Sequence, residues 1–216
     1  CGRFMMDQTG HPPLAEALSA LPLLAFRLNS FAAHPHSING LIYSYADLFL
    51  YNNSAPAERL VNTARTWTFL LWTVLCVVFL YIFARKLSGP GAAAFSICAF
   101  CFTPAFISNN ALVTTDAAAA VFYLGAIAAA YRFSRLKSAG GPRGSRKPFY
   151  LWAACAGTLT GLAMVSKFSM FILPPLIVGL WLLDGLLGRA ERPVRIWPYL
   201  LVFLASAALI ICVICH

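Results

Sequence analysis

Few side chains in this protein are equipped for chemistry. Seven residues are acidic, against sixteen Lys and Arg. One of the acids stands apart: Asp116, in the stretch NNALVTTDAAAAVFYLGAIAAAYR (109–132). Asn109, Asn110, Thr114 and Thr115 precede it, an uncharged apolar segment follows, and Arg132 opens a basic tract at the far end. An acid in the first turn of a helix is favoured by the helix dipole, and Thr114 and Thr115 can cap the start. Asp116 thus has a plain structural explanation beside a functional one, since ionisable groups at membrane helices are functional candidates by default. Lys167 is the only charge in the middle of a long apolar run and could equally snorkel to the headgroups. His11, Glu16 and Arg65 complete the set. Their bland alternatives are an isolated His before Pro12 and Pro13, a solvated interfacial charge, and an interface anchor. Asp7, Asp47 and Glu58 read as ordinary loop acids. Among seven cysteines, CAFC (98–101) and CVIC (212–215) have one-turn spacing, and His216 follows the second. Metal or redox chemistry would need these thiols to converge and deprotonate. Both pairs lie in apolar spans, where Cys behaves as a small hydrophobe.

The scaffold that positions these groups must sit in a membrane. Of 216 residues, 60% are hydrophobic and 11% charged, against about 25% charged in soluble domains. Such a composition excludes a soluble fold. Six apolar stretches predict spanning helices: Thr66–Ala84, Gly91–Ser108, Thr114–Arg132, Phe149–Ser166, Phe168–Leu187 and Trp197–Cys215. At about 1.5 Å per residue, stretches of this length cover a hydrocarbon core of ~30 Å. Phe149–Leu187 as a single helix would reach about 58 Å, so it must fold back. A hairpin with Lys167 at its tip is the economical solution, with Pro174 and Pro175 kinking the descending helix. Pro12–Leu28 carries Glu16 and Arg27, with Pro22 in its middle, and suits an amphipathic helix lying at the interface. Asn29–Arg65 is a long polar connection with a weakly apolar patch at Leu41–Tyr51. The expected fold class is an all-α polytopic membrane protein with about six transmembrane helices and an interfacial helix in an outer loop. Residues 1–65 form that outer loop and 66–216 the transmembrane domain. The chain starts at Cys1 and stops inside an apolar run, so it reads as a fragment truncated at both ends.

The net charge of +9 is explained by where the cations fall. Connections after the first, third and fifth spans hold eleven of the sixteen Lys and Arg: Arg85 and Lys86; Arg132, Arg135, Lys137, Arg143, Arg146 and Lys147; Arg189, Arg192 and Arg195. Alternate connections share a sign, as the positive-inside rule requires for crossings that start outside. Nucleic acid is therefore a poor reading of the basic excess, and Asp116 and Lys167 fall together on the outer face.

In order along the chain, four stretches resemble one family. DQTGHPPLAEALSALPLL (7–24) is similar to the His-Pro-Pro-Leu motif in the first outer loop of GT-C membrane glycosyltransferases. AERLVNTAR (57–65) resembles the segment before a span, PAFISNNALVTTDAAAAVFYLGAIAAAYR (104–132) the family's Leu-Val-Thr-Thr-Asp helix, and GLAMVSKFSMFILPP (161–175) its Gly-Leu-Ala…Ser-Lys hairpin. The closest branch is the protein O-mannosyltransferase group, with its bacterial family 39 relatives and the aminoarabinose lipid A transferases.

The resemblance implies a GT-C-like fold and a transfer reaction. A sugar moves from a polyprenyl-phosphate donor to a lipid, glycan or protein acceptor on the outer or lumenal face, in a setting such as the bacterial inner (plasma) membrane. Membrane lipids are implied partners and nucleic acid is not. By resemblance Asp116 lines the outer cavity and orients acceptor or sugar. His11 and Lys167 are cations for the donor phosphate, and Glu16 and Arg65 are further substrate-binding candidates. No cofactor is fixed, and a divalent metal stays open. The family's catalytic Asp, usually followed by Glu, lies upstream of the His-Pro-Pro-Leu motif. No Asp-Glu pair is present here and Asp7 does not take that role, so the general base is expected before residue 1 and this fragment is expected to be inactive alone. The competing class is a polyprenyl-lipid flippase or transporter, which would share broken helices and scattered charges. No internal repeat supports it.

Overall fold

The computed structural model describes residues 12–29, 42–110, 112–138, 145–186 and 195–215, and among these the chain is helical, with no strand. Helix α1 (Leu14–Ala20) passes into a 3₁₀ turn, Leu21–Ala25. Pro22 has no N–H to continue the α-helical pattern, so the interfacial helix expected over Pro12–Leu28 is shorter than its apolar stretch. Helix α2 (Ile42–Tyr51) falls on the apolar patch of the long connection.

Helix α3 (Ala57–Cys101) is two helices joined at Gly89, which adopts φ 88° and ψ −177°. A residue with a Cβ is strained there, and Pro90, whose missing N–H is harmless in a first turn, restarts the helix. The chain reverses at this point. Asn110 Nδ2 donates to Thr73 Oγ1 at 3.2 Å, whereas a straight helix would separate the two residues by about 55 Å. The first arm begins at Ala57, ahead of the apolar span at Thr66, and carries Glu58, Arg59 and Arg65 on its leading turns. The second expected span, Gly91–Ser108, is not one helix. It breaks after Cys101 and resumes as α4 (Pro104–Asn110), because Pro104 removes a donor and biases Thr103 away from helical geometry.

Helix α5 (Thr115–Ser138) follows, then α6 (Lys147–Met164), a 3₁₀ turn Phe168–Ile172, α7 (Leu173–Leu186) and α8 (Trp197–Cys215). The expected hairpin is present. Lys167 pairs with Asp116 at the start of α5, while Trp181 Nε1 donates to Ala130 O near its end, 3.3 Å away. Hence α7 runs parallel to α5 and antiparallel to α6. Pro174 and Pro175 do not kink the descending helix. They occupy the first turn of α7, where proline is tolerated.

Among the described residues, four helical stretches are long and apolar enough to cross a membrane: Ala57–Cys101, Thr115–Ser138, Phe168–Gly185 and Trp197–Cys215. The first of them supplies two arms, and α6 has 18 residues. The protein is an all-α polytopic integral membrane protein. Helix α5 lies at its centre and is far more buried than α3 or α8. Its alanines let neighbours approach: Ala118 and Ala126 are fully buried. On α6, Gly157 and Gly161 do the same for α8. A Cβ on Gly157 would lie 2.1 Å from Phe203 O, and one on Gly161 2.8 Å from Ala207 O. This is the small-xxx-small packing by which membrane helices bring backbones together. At the basic end, Lys86 Nζ and the Arg132 guanidinium lie 6.0 and 5.7 Å from the centroid of one ring, Trp152. A cation over an aromatic face is attracted by its quadrupole.

Candidate functional site

Asp116 is the second residue of α5. Leu112 to Thr114 approach in a non-helical path, tied by the Thr114 N–H donating to Leu112 O at 2.9 Å. Thr114 does not cap the helix as expected, since its Oγ1 is buried with no hydrogen-bond partner. Ala117, Ala118 and Ala119 turn inward directly below the carboxylate. Ala117 and Ala118 share one core cluster with Trp72 of α3 and Ala15 of α1. Small side chains at the head of α5 thus let two other elements close in on Asp116.

Lys167 arrives from the opposite direction. The α6 helix ends at Met164, and Lys167 is extended (φ −154°, ψ 131°) at the start of the 3₁₀ turn. Its Nζ donates to Asp116 Oδ1 in a short salt bridge. Both side chains remain accessible, Lys167 at 32% and Asp116 at 55% exposure. An ammonium has three donors and a carboxylate two acceptor oxygens, so each partner keeps capacity for a further ligand.

A third stretch meets the pair. The Leu14 N–H, at the start of α1, donates to Val165 O at 3.3 Å, two residues before Lys167. Pro12 and Pro13 are buried here. The far side of α1 is held by Trp67 Nε1, which donates to Leu18 O at 2.9 Å. Residues from positions 12–14, 116 and 165–167 therefore converge at one end of the bundle. Beside them is a cavity of about 200 Å³ whose lining includes Asp116, Asn109, Asn110, Cys76 and Phe106.

Not every expected residue joins this cluster. Arg65 is on α3, eight residues before Thr73, or about 12 Å further along the axis. Glu16 is exposed on α1, next to the buried Ala15. His11 and Asp7 lie outside the described residues.

A family model for dolichyl-phosphate-mannose-protein mannosyltransferase matches residues 61–216. The chain belongs to that family. The match takes in Arg65, Asp116 and Lys167, whereas His11 and Glu16 precede it. No curated protein and no solved structure matches. At family level, this mannosyltransferase-family chain is a membrane glycosyltransferase.

The cysteines take no part in the mannosyltransferase-family site as a cluster. Cys76, Cys98, Cys101, Cys155, Cys212 and Cys215 are free thiols, and among the described residues no three His, Cys, Asp or Glu come together to hold a metal ion. Two contributors were not evident beforehand. Thr73 fixes Asn110, and the Val165 carbonyl receives α1. Neither carries a charge or motif that would single it out. The pairing of Asp116 with Lys167 had one available signal, their placement on the same face by alternation of the basic connections.

Proposed function

We propose that this chain forms the donor-side half of a glycosyltransferase site at the outer face of a bacterial plasma membrane. The enzyme takes a sugar from a polyprenyl phosphate and passes it to an acceptor at that face. The carrying observation is the Lys167–Asp116 salt bridge at the mouth of the cavity, with α1 bonded alongside at Val165. One of the three Lys167 donors is used on Asp116, and the other two are directed to donor phosphate oxygens. Asp116 Oδ1 holds the ammonium in place and the second oxygen accepts a hydroxyl from sugar or acceptor. A lone Lys with several rotatable bonds would lose much of its rotamer entropy on gripping a phosphate. The carboxylate removes part of that cost by ordering the side chain beforehand. His11, three residues before Leu14, supplies a second cation, and Arg65 and Glu16 flank the approach of the substrates. No step is assigned to a divalent metal.

Donor binding and sugar transfer by the full-length protein, reconstituted with a polyprenyl-phosphate sugar, test this reading. Lys167→Met is expected to weaken donor binding at least tenfold, as loss of a charge-assisted contact worth about 1.5–3 kcal/mol requires. The swap Asp116→Lys with Lys167→Asp restores the salt bridge but inverts it, and is expected to leave donor binding weak. A swapped protein with full donor affinity and turnover would reduce the pair to a structural clamp.

A further inference from the structure

At the basic end of the bundle, far from Asp116, a cavity of about 410 Å³ opens between α3, α5 and α7. Its floor is one face of α5, where Tyr131, Ser134, Arg135 and Ser138 recur at helical spacing. Phe83 closes the α3 side, its ring edge-on to Tyr131 with centroids 5.7 Å apart. Trp181 closes the α7 side through its bond to Ala130 O. The lining changes character along the bundle axis. Ile127, Ala130 and Leu180 line the part nearer the membrane centre, and Ser134, Arg135, Ser138 and Asp184 the part nearer the basic connections. Because α5 and α7 run parallel, both grade from apolar to polar in the same direction. A matching occupant is amphipathic, with its head level with the basic connections and its tail toward the centre.

The charges narrow the head further. Arg135 and Asp184 line one cavity, yet no salt bridge joins them. The neighbouring cation, Lys137, is buried against α7, where its Nζ donates to the Trp181 backbone oxygen at 3.5 Å and packs beside Gly185, and it forms no salt bridge with Asp184. One guanidinium and one carboxylate therefore remain for a ligand that itself carries both signs.

We propose that this cavity is a phospholipid site selective for a headgroup with a phosphate and a primary ammonium. The phosphate oxygens accept from Arg135, the ammonium donates to Asp184, the hydroxyls of Ser134 and Ser138 donate to remaining phosphate oxygens, and an acyl chain follows Leu180 and Phe83. A choline head has no N–H for Asp184, and a glycerol head leaves that carboxylate beside an unbalanced anion. The basic connections place the site in the cytoplasmic leaflet.

The protein in nanodiscs of mixed composition tests the assignment, with bound lipid counted by native mass spectrometry. Phosphatidylethanolamine is expected to be retained about tenfold over phosphatidylcholine and phosphatidylglycerol. Arg135→Gln and Asp184→Asn should each abolish that preference, whereas Lys147→Gln, outside the cavity, should keep it. Ser134→Trp, which fills the cavity without touching either charge, should also release the lipid and guards against a charge variant that fails to fold. Equal retention of the three lipids by the wild type would overturn the site. So would a preference for phosphatidylglycerol that strengthens in Asp184→Asn, which would mark a simple anion patch.

Discussion

Asp116→Asn keeps the size of the side chain and removes the charge that holds Lys167. Exposed ion pairs are worth roughly 0–1 kcal/mol, so thermal stability in detergent should change little. Sugar transfer by the full-length protein should fall at least tenfold, about 1.4 kcal/mol of barrier. A variant that turns over normally would return Asp116 to the role of a first-turn acid. At this scale the sequence was informative about charge and silent about contact. Asp116 and Lys167 stand out because so few charges interrupt the apolar runs. Their pairing depends on how α5 and the turn after α6 meet, and no local pattern encodes that. Thr114 shows the converse: its type is right for a cap, yet its hydroxyl is buried without a partner.

The elements are specified by proline, glycine and length more than by amphipathic pattern, since a lipid-facing helix has no polar face to contrast. The single charge in the middle of Phe149–Leu187 was enough to locate the turn at Lys167. The Gly89–Pro90 reversal and the break before Pro104 were each visible as residues, but their consequences depended on neighbours. Pro174 and Pro175 illustrate the limit, because one turn's displacement of the helix start converts a kink into a harmless first turn. Gly157 gives the sharpest test at this level. In Gly157→Val the new Cβ would collide with the α8 backbone at Phe203. Overpacking of this kind costs about 1–3 kcal/mol, so the detergent melting temperature should drop clearly. In Gly179→Ala the added Cβ meets nothing within 4 Å, and this variant should melt like the wild type. Equal melting of the two variants would mean that α6 and α8 do not pack through their backbones.

The whole molecule is organised by its two ends, one bearing the Asp116–Lys167 pair and the other the basic connections. Single cysteines at Asn52 and Ser145, in a background without the native thiols, should label from opposite sides of intact cells, Asn52 from outside. Labelling of both by an impermeant reagent added from outside would defeat the proposed layout. The ring of Trp152, with Lys86 and Arg132 on it, has a consequence for the bilayer itself. Cations stacked on a Trp mark the level of a membrane interface. From Arg132 to Asp116 is sixteen residues of helix, about 24 Å, and from Trp152 to Met164 about 18 Å. Both fall short of a hydrocarbon core of ~30 Å. With the interface set at the Trp152 level, the apolar span on this side is thinner than the hydrocarbon core, and the lipid around it dimples or the carboxylate lies beneath the headgroups. Acyl-chain length then becomes a control on turnover. Reconstituted in short-chain phosphatidylcholine the full-length enzyme should transfer sugar faster than in long-chain phosphatidylcholine, and rates that ignore thickness would show that the Trp152 level is not the interface.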